Sequence, residues 1–321
     1  MALPDPATQA RIAKINLALA AELTVKPQQV TAAVALLDEG ATVPFIARYR
    51  KEITGNLDDT QLRTLEERLG YLRELEERRA AILASIGEQG KLTDELKKAI
   101  EAGSSKQVLE DLYLPYKPRR RTRAQIAREA GLEPLAEALF ADPSLNPEEE
   151  AVKYIKVVAA VGDTSAGGDG SDAINVPDTK AALEGARDIL SERFAETAEL
   201  LAKLRGRLQE QGVLTAKVMP GKEGAEEEKF RDYYDHAEPF KAVPSHRALA
   251  LFRGRQLGVL MLNLGLGEDL EAQTPHPCEA MIAAHFGVEN RGRPADAWLA
   301  GVCRWAWKVK AHMHIQTELM L

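Results

Sequence analysis

Residues 58–89 read DDTQLRTLEERLGYLRELEERRAAILASIGEQ, and this stretch decides the fold class. Asp58 followed three positions later by Gln61 is a capping box, a helix start in which each residue's side chain serves the other's backbone N–H. From there Leu62, Leu65, Leu69, Leu72, Leu75, Ile82 and Ile86 recur at near-heptad spacing, marking one apolar stripe. Between them lie glutamates and arginines of mixed sign, the pattern of a solvated face held by (i, i+4) pairs. Gly90 ends the run. A helix of about 30 residues is roughly 45 Å long. It is a strut, or one arm of a helical hairpin, and it predicts a mainly α protein.

Toward the N-terminus, Ile12, Ile15, Leu19 and Leu23 predict a first helix. Pro27 opens a second through Val30, Val34 and Leu37, stopped by Gly40 at a left-handed C-terminal position. Thr42 can cap a third, with Phe45, Ile46, Tyr49 and Ile53 on one face and Gly55 at its end. Residues 27–55 thus have helix-turn-helix-like spacing, with Arg48, Arg50 and Lys51 on the second helix of the pair.

Toward the C-terminus, proline and glycine punctuate short helices over 93–102, 106–114, 123–130, 132–140 and 147–157. Gly162 to Asp172 has almost nothing to bury and predicts a flexible loop. Beyond it the pattern is mixed. Helix is expected over 181–208, 245–253, 276–285 and from Ala295 onward, with strands at 213–219 and 257–266. The expected organisation is a helical domain over 1–160, a loop or linker over 161–177, and a mixed α/β region over 178–321. The fold class is mainly α: a multi-helical scaffold with a helix-turn-helix-like module and a small two- or three-stranded β element in its C-terminal half. The last helix reaches Leu321 without a cap, so the chain is expected to be a fragment.

Bulk properties narrow the function. Of 321 residues, 45% are hydrophobic and 28% charged, which allows a sizeable core and argues against disorder. The formal net charge of −7 means that nucleic acid would have to be met by local basic patches, not by the overall field. Two cysteines, Cys278 and Cys303, cannot build a disulfide framework and suit a reducing compartment. With no secretory signal and no apolar run of the ~20 residues that span a bilayer, a cytoplasmic, membrane-free monomer is expected.

Catalytic patterns are wanting. His276 with Cys278, and His312 with His314, resemble metal-ligand pairs, with His285 and Cys303 as further candidates. Side chains two apart on a helix diverge, however, and cap and interface roles are expected for them. Ser245 beside His246 would diverge in the same way. No phosphate-binding loop is present. A non-enzyme without metal or cofactor is expected. The stronger signal is cationic: Lys117, Arg119, Arg120, Arg121 and Arg123 follow Tyr113, Pro115 and Tyr116, a phosphate-binding run with tyrosines able to stack on bases. The competing reading pairs these arginines with glutamates of neighbouring helices.

Three stretches carry a resemblance: residues 42–52 (TVPFIARYRKE) leading into 55–59 (GNLDD), residues 109–122 (LEDLYLPYKPRRRT), and residues 244–250 (PSHRALA) with Phe252-Arg253-Gly254. Together they resemble the N-terminal region of the Tex family of bacterial transcription accessory proteins, related to the eukaryotic Spt-type elongation factors. The resemblance implies a helical region with a helix-turn-helix-like module, ending where an RNase H-like domain is expected, with helix-hairpin-helix motifs and an RNA-binding OB-fold beyond. It implies a transcription-associated nucleic-acid-binding protein in which this part supplies scaffold and secondary phosphate contacts, the main RNA or DNA contacts lying further on. The alternative is a scaffold that docks onto the transcription machinery without touching nucleic acid.

Overall fold

The computed structural model describes residues 6–118, 121–156, 175–222 and 228–320. Packing divides them into two compact units, one ending at Tyr113 and the other beginning at Leu114.

The first unit is all helix: α1 (Pro6–Glu22), α2 (Pro27–Asp38), α3 (Val43–Tyr49), α4 (Asp59–Glu88), α5 (Asp94–Ala102) and α6 (Lys106–Tyr113). Helix α4 has 30 residues and begins with the expected box: Asp58 accepts from the Gln61 N–H at 2.8 Å, and Gln61 Oε1 accepts from the Asp58 N–H at 3.1 Å. Its stripe Leu62, Leu65, Leu69, Leu75, Ile82 and Ile86 is buried, so the seam serves internal packing. The N-terminal half of that stripe meets Ile15, Leu19, Val30, Val34 and Ile46 from α1, α2 and α3 in one core. Arg79 is buried in the same helix. Its guanidinium donates to the carbonyls of Ile100, Glu101 and Gly103, answering the otherwise open C-terminal end of α5.

The second unit contains α7 (Arg123–Glu129), α8 (Glu133–Ala141), α9 (Pro147–Val152), α10 (Thr179–Ala195), α11 (Ala198–Gln211), β1 (Val213–Val218), β2 (Asp235–Pro239), α12 (Ser245–Gln256), β3 (Leu260–Gly265), α13 (Glu268–Glu271), α14 (Pro277–Phe286), α15 (Asp296–Trp305), a π-helical turn (Ala306–Ala311) and α16 (His312–Leu319). Helix α10 is the hub. Ala182, Ala186, Ile189, Leu190 and Phe194 are buried among side chains of α7, α8, α11 and α15. The strands form an antiparallel sheet in the order β2-β1-β3, with its own core of Leu214, Ala216, Phe230, Leu251, Leu260, Leu262 and Leu264.

Several expectations change. The packing division falls at Tyr113/Leu114, ahead of the boundary expected near 160, because α7–α9 bury their apolar faces on α10. The loop Gly162 to Asp172 lies outside the described residues. Val176, placed in the expected linker, is instead buried and paired across an antiparallel bridge with Lys156. The single helix expected over 181–208 is two helices, broken at Glu196-Thr197. Thr42 holds the N-cap position of α3, but its side chain makes no capping bond there. Among the described residues no helix is long and apolar enough to cross a membrane.

Candidate nucleic-acid interface

Helix α2, the bend at Gly40 (φ +88°) and α3 form the helix-turn-helix-like corner. Helix α3 has only seven residues, so it supports just one of the three expected cations. Arg48 lies in the helix, Arg50 is its C-cap and Lys51 follows it. That following turn is held firmly. Thr54 is fully buried, and its hydroxyl donates to the Arg50 carbonyl at 3.2 Å. Gln29 of α2 donates to the carbonyls of Thr54 at 3.3 Å and Gly55 at 2.8 Å. Gly55 has φ +63°, and a Cβ there would meet Gln29 Nε2 at 2.9 Å, so only glycine suits the turn. Leu57 then anchors the chain in the core.

The expected apolar face of α3 is corrected by the structure. Val43 and Ile46 point into the core, whereas Phe45, Tyr49 and Ile53 are 40%, 62% and 55% exposed. Phe45 and Tyr49, four apart, share a face of α3 turned about 100° from Ile46, and Ile53 lies beyond the helix's end. The outcome is an exposed patch in which aromatic and cationic side chains interleave. Phe45 and Tyr49 have ring centroids 5.4 Å apart, and the Arg50 guanidinium stands 5.0 Å from the Phe45 centroid. Arg50 donates to its neighbour's carbonyl, that of Tyr49, at 3.3 Å. Among the described residues, Arg48, Arg50 and Lys51 form no ion pair with a carboxylate. Unneutralised cations beside open aromatic faces are what a flexible phosphate backbone with unstacked bases requires. Phe45 and Tyr49 were missed as site residues because helical periodicity groups them on one face and does not say whether that face is covered.

The second cationic run is weaker. Arg119 and Arg120 lie outside the described residues. Arg121 is bound to Glu129, its Nε donating at 2.8 Å, and that bond holds the Glu129 carboxyl below the usual carboxylate range. Lys117 and Arg123 are exposed and make no ion pair among the described residues. Tyr113 cannot stack on a base: it is 7% exposed, its hydroxyl is 3.0 Å from Ser85 Oγ, and the Arg78 guanidinium lies 5.3 Å from its ring centroid.

The residues weighed as metal ligands or nucleophiles have other employment. His276 caps α14, its Nδ1 accepting from the Cys278 N–H at 3.1 Å. His312 Nε2 is 2.6 Å from the Leu264 carbonyl, and His314 Nε2 is 3.1 Å from Glu318. His276, Trp307 and His312 stack in sequence, with centroid separations of 5.4 and 4.9 Å. Burial pushes the thiols of Cys278 and Cys303 up to about 12, which leaves them protonated at neutral pH. Ser245 and His246 are both exposed at the start of α12.

Comparison with known proteins places this geometry. The sequence model of the Tex central region-like family matches residues 142–321, and that of the Tex-like protein N-terminal domain matches residues 13–87. Protein YhgF of Escherichia coli (strain K12) is 58% identical over 303 residues, 94% of this chain and 37% of its own. Protein tex of Bordetella pertussis is 54% identical over 312 residues, covering 96% of this chain and 37% of its own. The transcriptional accessory protein Tex of Neisseria gonorrhoeae is 49% identical over 303 residues, again 37% of its length. The chain therefore spans a little over a third of these curated relatives. Two family models in series, together with identity of this extent, settle the classification: the chain belongs to the Tex family.

Proposed function

We propose that this chain is the helical N-terminal part of a transcription-associated nucleic-acid-binding protein, a scaffold that makes secondary phosphate contacts of its own. The name of the Neisseria gonorrhoeae relative supports the association with transcription. One observation carries the binding role: Phe45, Tyr49 and Ile53 stand exposed among Arg48, Arg50 and Lys51, none of which is neutralised by a carboxylate among the described residues. Single-stranded RNA or DNA is the expected ligand, because open aromatic rings act on unstacked bases. Lys117 and Arg123 add a second, sparser contact. The chain acts without catalysis or cofactor, as a cytoplasmic monomer, and the transcription machinery is its expected protein partner.

Fluorescence anisotropy with single-stranded RNA, single-stranded DNA and duplex DNA at two salt concentrations tests this. Salt-sensitive binding that prefers single strands and fails in an Arg48/Arg50/Lys51 triple alanine variant supports the reading. Absence of binding even at low salt removes it. The alternative, docking onto a protein without nucleic-acid contact, draws support from Leu249, Leu257 and Met261, large apolar side chains left exposed on and just after α12 and on β3.

A further inference from the structure

Helix α15 carries Trp298, Gly301 and Trp305 at spacings of three and four, which sets all three on one face. Both indoles are half-exposed. Between them the floor is bare, because a Cβ built on Gly301 meets nothing within 4 Å. Glycine is a poor helix former, and no neighbour in the chain requires it there. This face opens into a groove of about 530 Å³ whose opposite wall is α10.

Arg187 of α10 lays its guanidinium over the Trp305 ring, 3.8 Å from the centroid. Its Nε is buried without a hydrogen-bond partner among the described residues, and its Nη2 reaches Asp188 at 3.6 Å. Lys180, in the first turn of α10 where the helix dipole is positive, forms no ion pair among the described residues. Arg304 touches Glu279 at 3.5 Å and lines the same groove. Glu148 and Glu184 complete the rim as acceptors.

We propose that this groove binds a nucleotide, free or within a single strand. The base lies against Trp298 and Trp305 over Gly301, and Lys180 and Arg304 meet the phosphate. The two carboxylates accept from an exocyclic amine, which favours cytosine over uracil. An apolar peptide is the competing occupant. The cations favour the phosphate-bearing ligand. The inference stands apart from the α3 patch, which belongs to the other unit.

Two of the three tryptophans line the groove, so intrinsic fluorescence reads the site directly. The protein is titrated with CMP, UMP, oligo(rC) and oligo(rU). Saturable quenching is expected, stronger for cytosine. Gly301→Leu fills the floor, should melt at or above the wild-type temperature, and should weaken binding by about tenfold or more. Lys180→Glu, an exposed change that leaves the fold intact, should weaken it about fivefold. Saturation by CMP assigns the groove to free nucleotides, and saturation by the oligonucleotide alone assigns it to strands. Absence of quenching with every probe, or quenching undiminished in both variants, overturns the proposal. Retained oligonucleotide anisotropy in the absence of quenching would overturn this site while leaving the α3 patch standing.

Discussion

Helices α3 and α4 are successive elements of one unit, and they treat their cations in opposite ways. Every arginine of α4 is engaged. Arg63 pairs with Asp59 at 2.7 Å, Arg68 with Glu22 at 2.7 Å, Arg73 with Asp38 at 2.8 Å and Arg78 with Glu110 at 2.6 Å, while Arg79 meets Glu76 at 3.2 Å. Glu22, Asp38 and Glu110 belong to α1, α2 and α6, so these pairs tie the strut to its neighbours. Around α3, Arg48, Arg50 and Lys51 carry no such tie among the described residues, and the aromatic rings between them are exposed. The number of cations therefore says little about function. What separates a structural arginine from a binding one is whether the fold supplies its carboxylate. Of the run 117–123, the described residues stand between these extremes, with Arg121 engaged and Lys117 and Arg123 making no ion pair among the described residues.

The contrast can be broken most forcefully at Arg79. Arg79→Met leaves three carbonyls at the end of α5 unanswered, and should destabilise the protein by about 3 kcal/mol in urea melts. A loss under about 1 kcal/mol would mean that α4's engaged arginines are ornamental.

The second unit has an engaged arginine of the same kind, Arg205, bound to Glu318 at 2.8 Å. Burial alone would raise the Glu318 carboxyl, but hydrogen bonds from His314 and Arg205 and the charges of both outweigh it and hold it at about 2, against an ordinary 4.5. A lowered folded-state value means that this stabilisation is complete above the ordinary value and disappears as pH falls through about 2. Acid melts of wild type should lose about 2–3 kcal/mol over that window that Glu318→Gln does not lose. Parallel acid profiles for the two proteins would contradict it.

Removing the unengaged cations should leave stability alone and change binding. Triple alanine replacement of Arg48, Arg50 and Lys51 should weaken single-strand binding by roughly tenfold and flatten the log-log salt slope by about 2. Arg121→Ala, already neutralised by Glu129, should change affinity less than about twofold. Equal effects from the two would erase the distinction drawn here. A loss smaller than the triple variant's is more specific: Tyr49→Ala should cost about 1 kcal/mol of single-strand affinity and leave duplex binding and melting temperature unchanged.

Local signals were the legible ones. The Asp58–Gln61 box, the stripe of α4 and the glycine stops are written within one or two turns of sequence, and the helical fold class follows from them. Strand β2 was not legible, since Asp235-His236-Ala237-Glu238-Pro239 lacks an apolar alternation and owes its form to its pairing with β1. The break between α10 and α11 has no glycine or proline to announce it. At the candidate site the cations could be read but the rings could not. Periodicity groups Phe45, Tyr49 and Ile53 on a face, and only the packing of Val43 and Ile46 against the core shows that the other face is left exposed. The groove of Trp298 and Trp305 joins α10 to α15, more than a hundred positions apart, and no local pattern reports such a meeting.

The bridge between Lys156 and Val176 bears on the chain entropy around the hub helix. Each residue's N–H reaches the other's carbonyl, at 3.0 and 2.9 Å, so the chain leaving α9 and the chain entering α10 are clasped side by side. Once two ends are clasped, doubling the length between them adds only about 0.6 kcal/mol of closure entropy. The length of chain between Lys156 and Val176 therefore weighs little on the entropic cost of the clasp itself, which fixes how α9 hands the chain to the hub helix.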